Sequence, residues 1–167
     1  MAKTLLMGNP VTTSGELPAL KTSAPDFILV DSDLKNHSLK DHTGKRKILS
    51  IVPSLDTAVC SLSAKKFNEA AKDLPDTVIL VISADLPFAQ KRFCGAENIK
   101  NIIALSMMRS KDFAKDYGVL ITDGPLAGIC ARAIVVLDEH DTVIYTELCK
   151  EISQEPNYEK ALQALSM

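Results

Sequence analysis

Two short apolar runs, separated by a segment with helical periodicity, constrain the fold of this chain more than any other feature. Residues 46–52 and 77–82 form the runs, which are typical of strands buried on both faces of a sheet. Between them the apolar residues fall mostly on one face of a helix that begins near Val59 and ends before Pro75. This order predicts two strands connected by a helix.

The same periodicities continue along the chain. They predict strands over 102–105, 131–137 and 142–148, and helices after Pro87, over 111–117 and over 158–165. The last two strands flank a turn at 138–141 and therefore form an antiparallel hairpin. We expect a single α/β domain over 1–167, with a mixed, mostly parallel central sheet and helices on both faces, in a thioredoxin-like arrangement.

The first part of the chain is less regular. Turn signals at 8–10 and 14–15 predict a β-hairpin or an irregular extension within residues 3–25. A short strand is expected over 27–30, and residues 36–44 are expected to form a polar loop.

Composition argues against several classes of partner. The formal net charge is -2, so the chain has no basic excess with which to bind nucleic acid. Its apolar stretches are far shorter than the ~18 residues of a membrane span, and its N-terminus lacks a secretory apolar region. Neither G-x-G-x-x-G nor a Walker sequence is present, so no nucleotide cofactor is expected. We therefore expect a cytoplasmic protein without a cofactor.

Four cysteines lie far apart in the sequence, at Cys60, Cys94, Cys130 and Cys149. They form no C-x-x-C pair, and no two histidines are spaced as i, i+4. The sequence therefore supports neither a thioredoxin-type dithiol nor a zinc site. A lone cysteine in a reducing compartment is usually a small apolar core residue, so each must be considered in its own surroundings.

Cys60 has the most informative surroundings. It lies in the first turn of the predicted helix, after a strand that Pro53 ends. At a helix N-terminus, free amide groups and the helix dipole favour a thiolate over a thiol. Thr57 lies three residues upstream and is able to place its hydroxyl near the sulfur, whereas Pro53 brings no amide proton. The alternative is an inert, buried cysteine in a helix cap.

The segment Pro53-x-x-x-Thr57-x-x-Cys60 is similar to the peroxidatic motif of the peroxiredoxins, P-x-x-x-T/S-x-x-C. The similarity extends over nearly the whole chain and is strongest to the bacterial thiol peroxidases, which are atypical two-cysteine peroxiredoxins. Other stretches that carry it are residues 8–12, 83–90, 92–97 (Arg-Phe-Cys-Gly-Ala-Glu) and 131–133 (Ala-Arg-Ala).

The resemblance implies a role for each residue of the motif. Cys60 would attack a hydrogen peroxide or alkyl hydroperoxide oxygen and become a sulfenic acid. Pro53 would shield the sulfur, and the Thr57 hydroxyl would contact both sulfur and peroxide. Arg132 would place its guanidinium beside both, although it lies 72 residues beyond Cys60 in the sequence; its alternative is an ion-paired strand residue on the surface.

Cys94 is implied to be the resolving cysteine, which forms an intrachain disulfide with Cys60 that a thioredoxin reduces. Because the two cysteines lie on different predicted helices, we expect both helices to unwind locally before the sulfurs join. The alternative for Cys94 is a half-buried packing residue.

Two other functions remain open: a general thiol–disulfide oxidoreductase, and a redox sensor or holdase without efficient turnover. Cys130 and Cys149 are expected to be small apolar residues, although Cys130 could lie near the site because it is two positions from Arg132. The resemblance also implies that the chain forms a homodimer. A surface of Met107, Met108, Arg109 and Asp112, with residues 117–119, could line that interface or could belong to the core.

Overall fold

Residues 1–166, which the computed structural model describes, form nine strands, four α-helices and one short 3₁₀ helix. The strands are β1 (Lys3–Leu6), β2 (Asn9–Thr12), β3 (Leu29–Val30), β4 (Asn36–His37), β5 (Arg46–Ile51), β6 (Thr77–Ser83), β7 (Ile103–Ser106), β8 (Ala133–Leu137) and β9 (Val143–Leu148). The α-helices are α1 (Ala58–Ala71), α2 (Pro87–Ala96), α3 (Asp112–Asp116) and α4 (Tyr158–Ala164), and the 3₁₀ helix is Leu39–His42.

Seven strands form one mixed sheet in the order β4-β3-β7-β6-β5-β8-β9. The central strands β5, β6 and β7 are parallel, and the connections between them contain α1 and α2. On one side β8 and β9 continue the sheet as an antiparallel hairpin, and on the other β3 and β4 complete it, also antiparallel. The predicted mixed sheet is confirmed, but the expectation that it is mostly parallel is wrong, because only the β5–β6 and β6–β7 pairs are parallel and the other four pairs are antiparallel.

Alternate side chains of the central strands enter two separate cores. Leu49 and Ile51 of β5 pack on one face of the sheet with α3, whereas Ile48 and Val52 pack on the other face with α1 and α4. Because both faces are covered, these strands are apolar at nearly every position. Cys60 lies in the second of these cores.

The N-terminal hairpin is confirmed and packs on the body of the protein. Lys3 pairs with Thr12 and Leu6 with Asn9, and the turn Met7-Gly8 has positive φ at both residues. Leu5 exchanges backbone hydrogen bonds with the segment after β9, at Lys150 and Ile152. These contacts place the tip of the hairpin beside the carboxyl end of β5, where the candidate site lies.

Several boundaries differ from the sequence predictions; the strand expected over 27–30, for example, covers only Leu29–Val30. Residues 36–44 are not a simple polar loop, because residues 36 and 37 pair with β3 and a capping box at Ser38 begins the 3₁₀ helix. The strand predicted over 131–137 begins only at Ala133, because residues 130 and 131 form their backbone contacts with residues 119 and 120.

None of the helices within residues 1–166 has the length and apolar character needed to cross a membrane.

Gly118 lies two residues after the end of α3 and has a left-handed backbone conformation, which glycine adopts more easily than other residues. Its φ is +68°, and a Cβ placed there would lie 2.1 Å from the Glu16 carbonyl oxygen. Gly44 also has a positive φ, of +83°, but a Cβ there would meet no atom within 4 Å.

We predict that Gly118→Ala lowers the free energy of unfolding by at least about 2 kcal/mol more than Gly44→Ala does. Both variants carry the left-handed penalty of about 1–2 kcal/mol, but only Gly118→Ala adds a collision with backbone. Urea unfolding of the two variants measures the difference. Equal losses would contradict the close approach of residues 16 and 118.

Candidate functional site

The loop between β5 and α1 places Cys60 in the first turn of a helix. Thr57 is the N-cap of α1, and its Oγ1 accepts a hydrogen bond from the Cys60 amide at 3.3 Å. The same hydroxyl donates to the Ser54 carbonyl at 3.0 Å. Thr57 therefore fixes the backbone that carries the sulfur, and its hydroxyl contacts the Cys60 amide rather than the sulfur itself.

Arg132 reaches the sulfur from the position just before β8, the neighbour of β5 in the sheet. Its Nη1 donates to Cys60 Sγ at 3.0 Å, and its Nε donates to the Ile152 carbonyl at 2.7 Å. Arg132 precedes β8, whose first residue, Ala133, pairs with Ile51 at the end of β5. That pairing brings two residues that are 72 positions apart into contact.

The surroundings of this pair are buried and, within the described part of the chain, offer the guanidinium no carboxylate partner. Arg132 is 2% exposed and Cys60 is 0% exposed. Among the ion pairs formed by residues 1–166, none includes Arg132. A buried cation without a counter-ion is costly, whereas a thiolate at hydrogen-bond distance would neutralise it. The interpretation of Arg132 as an ion-paired surface residue is therefore wrong.

A cleft of about 420 Å³ opens beside this contact. Pro53, Thr57 and Arg132 contribute to its wall, so the three residues that the resemblance associates with Cys60 meet there. The rest of the wall is largely apolar, and its apolar side chains include Leu6, Met7, Val59, Leu126, Ile129 and Ile152. The hairpin tip thus forms part of the wall, a contribution that the sequence analysis missed because no local signal links residues 6 and 7 to residue 60.

Glu151 holds the hairpin tip in place. Its carboxylate accepts hydrogen bonds from the Met7 amide at 2.8 Å and the Gly8 amide at 3.1 Å. Met7 itself is 82% exposed, so its position at the cleft depends on the backbone rather than on packing.

Cys94 lies on α2, in contact with the same core as Cys60. It is half-buried, and burial raises the pKa of its thiol. All four cysteines are free thiols. The prediction that Cys60 and Cys94 lie on different helices is confirmed.

Cys130 lies on the opposite side of the sheet from Cys60. Its sulfur is 3.5 Å from Met107 Sδ, in the core that α3 covers. The expectation that it could lie near the site is therefore wrong, because residues 130–132 do not continue β8 and do not follow its alternation. Burial raises the pKa of Cys130 to about 12.

Cys149 is also buried, at 4% exposure. Burial and, secondarily, the Glu147 carboxylate raise the pKa of its thiol to about 12, and Arg132 opposes this shift. Both Cys130 and Cys149 therefore have the properties of small apolar residues, as the sequence analysis expected.

Most of the residues considered for an interface belong to the interior. Met107, Tyr117 and Val119 are 5% exposed or less, so they form core and not a free surface. Met108 remains 38% exposed, and Arg109 donates to Asn36 Oδ1 and to the Leu34 carbonyl at the edge of the sheet.

A metal centre finds no support in the arrangement of side chains. Across residues 1–166, no three His, Cys, Asp or Glu side chains are grouped so as to hold an ion. His37 and His42 contact each other through their Nε2 atoms at 2.7 Å, and burial together with His37 lowers the pKa of His42.

The pKa values of the buried thiols predict selective labelling. At pH 8 a thiol with a pKa of about 12 is a thiolate in only about one molecule in ten thousand. We therefore expect iodoacetamide to leave Cys130 and Cys149 unmodified in the folded chain at pH 8 and to modify both in urea, as peptide mass spectrometry would reveal. Rapid labelling of either in the folded chain would contradict its burial.

Comparisons with known proteins agree with the geometry. The Redoxin family matches residues 19–162. The thiol peroxidase of Leptospira interrogans (serogroup Icterohaemorrhagiae, serovar copenhageni) is 51% identical over 166 residues, which are 98% of this chain and 97% of that protein.

Two solved structures are also similar over nearly their full lengths. The peroxiredoxin-like protein from Aquifex aeolicus superposes with a TM-score of 0.92 and 40% identity, covering 98% of this chain and 95% of its own. The thiol peroxidase from Chromobacterium violaceum gives a TM-score of 0.89 and 27% identity, covering 96% and 95%. These similarities confirm the thioredoxin-like fold and the resemblance found in the motifs, and they establish that this chain belongs to the Redoxin family.

Proposed function

We propose that Cys60 carries out the thiol-dependent peroxide reduction for which the relatives are named. Similarity to named thiol peroxidases over almost the whole chain makes this protein a peroxidase. The observation that carries the assignment to Cys60 is the contact of its buried sulfur with the Arg132 guanidinium at 3.0 Å.

The chemistry begins with nucleophilic attack. The Cys60 thiolate attacks one oxygen of the hydroperoxide, a sulfur–oxygen bond forms and the oxygen–oxygen bond breaks. The sulfur loses two electrons and becomes a sulfenic acid, and the leaving oxygen takes a proton to become water or an alcohol.

Three residues support this step. Arg132 stabilises the thiolate and the charge that develops on the leaving oxygen, because its guanidinium is permanently charged. Thr57 fixes the first turn of α1 through its contact with the Cys60 amide, and its exposed position on the cleft wall allows its hydroxyl to contact the peroxide. Pro53, buried on the same wall, limits access of water to the sulfur.

The cleft favours organic hydroperoxides as substrates beside hydrogen peroxide. Its volume of about 420 Å³ and its apolar wall suit an alkyl group, whereas hydrogen peroxide would use only the polar end at Thr57 and Arg132.

Cys94 resolves the sulfenic acid. Its thiol attacks the Cys60 sulfur, water leaves and an intrachain disulfide remains. Because the cysteines lie on α1 and α2, both segments unwind locally to bring the sulfurs together. A thioredoxin then reduces the disulfide, which supplies the two electrons of the cycle, and the reducing cytoplasm is the compartment we propose.

We also propose that the chain forms a homodimer through the edge of the sheet at β3 and β4. Ile28, Leu34 and Met108 are 65%, 41% and 38% exposed near this edge, and Arg109 orders it through Asn36 and the Leu34 carbonyl.

Substitution of the cysteines tests the cycle. Cys60→Ser should abolish peroxide consumption, because it removes the nucleophile. Cys94→Ser should allow one oxidation per chain and then stall, because the sulfenic acid cannot form the disulfide. The measurement is stopped-flow loss of hydrogen peroxide and of an alkyl hydroperoxide with excess reduced thioredoxin.

A chain that keeps only Cys60 and Cys94 is the matched control and should retain turnover, since Cys130 and Cys149 are not used. Many turnovers per Cys60 support the peroxidase. A single turnover of the wild type followed by a stall would favour a redox sensor, and disulfide exchange without peroxide consumption would favour a general oxidoreductase.

Arg132→Lys tests the guanidinium. It should lower the second-order rate constant of Cys60 with peroxide by roughly a hundredfold, because an ammonium group lacks the planar guanidinium fork that contacts the sulfur and the Ile152 carbonyl together. Arg46→Lys, at the other end of β5, should leave the rate unchanged. The two rate constants are measured by stopped flow, and equal values would exclude the proposed role of Arg132.

A further inference from the structure

A network of hydrogen bonds, outside the contact of Cys60 with Arg132, connects the loop before Cys60 to the helix that carries Cys94. Its centre is Asp85, which follows β6. The Asp85 carboxylate accepts hydrogen bonds from Ser54 Oγ at 2.7 Å and from the Leu55 amide at 2.8 Å. One side chain thus anchors the start of the loop that leads to Cys60.

The other side of the network reaches α2. Asp85 also accepts a hydrogen bond from Ser83 Oγ at 2.8 Å, and Ser83 Oγ accepts one from Gln90 Nε2 at 3.1 Å. Gln90 donates as well to the Leu105 carbonyl of β7 at 2.9 Å. Gln90 precedes Cys94 by four residues, so both lie on the same face of α2.

One polar atom of α2, in the side chain of Gln90, has no hydrogen-bond partner in the network. Gln90 is 0% exposed, and its Oε1 is buried without a hydrogen-bond donor among residues 1–166. A buried acceptor without a partner is costly. The folded α2, with Cys94 held in it, is the closed state. Its position therefore depends on the hydrogen bonds that Gln90 Nε2 does make, including the one to Ser83.

We propose that Asp85 is a positioning residue that couples the opening of the Cys60 loop to the unwinding of α2. This inference rests on the proposed function, because it concerns the step in which Cys94 reaches the Cys60 sulfenic acid. When Ser54 and Leu55 leave Asp85, its carboxylate loses two of its three donors and is no longer fixed in one position. The Ser83 hydroxyl, which bonds to that carboxylate and accepts from Gln90, then loses its fixed orientation as well. The two segments then open together.

Asp85→Asn tests the coupling. The amide keeps the size of the side chain, but its Nδ2 cannot accept a hydrogen bond, so it cannot satisfy all three donors. The closed state should be weakened, and disulfide formation after a single oxidation should be roughly tenfold faster than in the wild type, as followed by rapid quench and mass spectrometry. At high peroxide the ratio of disulfide to Cys60 sulfinic acid should rise by a similar factor.

Asp56→Asn is the matched control. It removes one carboxylate charge, as Asp85→Asn does, from the loop that Asp85 anchors, but the carboxylate of Asp56 forms none of the hydrogen bonds found in residues 1–166, so this variant should behave as the wild type. If Asp85→Asn and Asp56→Asn give the same ratio while the wild type cycles, the coupling is wrong and the proposed function stands. If the wild type forms no disulfide, the proposed function itself is wrong.

Ser54→Ala gives a second test that does not depend on Asp85→Asn folding. It touches only the loop, yet coupling requires that amide hydrogen exchange of residues 87–96 in the reduced chain increase together with that of residues 53–60. Faster exchange confined to residues 53–60 would overturn the proposal.

Discussion

The contact between a buried guanidinium and a buried sulfur determines the character of this site. Arg132 brings a permanent charge into a core that holds no carboxylate bonded to it within residues 1–166. An anion opposite this charge would offset the cost of burying it, and the Cys60 sulfur is the group in that position. Under the proposed function, stability and reactivity would depend on the same contact, because the thiolate that offsets the buried guanidinium would also be the group that attacks the peroxide.

The sheet produces this contact through strand pairing. The end of β5 and the beginning of β8 are neighbours because Ile51 pairs with Ala133. The loop after β5 and the residue before β8 therefore meet at the same edge. The parallel strands β5, β6 and β7 then place the starts of α1 and α2 at that edge as well, so the fold brings the Cys60 sulfur and the Arg132 guanidinium together at one end of the sheet.

Local features of the site could be predicted from the sequence, and features that depend on tertiary pairing could not. Cys60 and Thr57 were predictable because a strand end and a helix start both have local signals. The position of Arg132 needed the family resemblance, since nothing in its own segment refers to residue 60. The expectation for Cys130 was wrong because the chain departs from the strand before Ala133. Asp85 lies within residues 83–90, which carry the family resemblance. Its hydrogen bonds could not be predicted, because its partners Ser54 and Leu55 lie about thirty residues earlier.

The hairpin tip at Met7 has a consequence for how relatives of this protein could diverge. It borders the cleft, but its position is fixed by the hydrogen bonds from the Met7 and Gly8 amides to Glu151 rather than by packing of the Met7 side chain. Because the Met7 side chain is exposed, its exchange would leave the core unchanged. Under the proposed function, variation at the hairpin tip would therefore change the range of oxidants without altering the residues proposed to break the oxygen–oxygen bond.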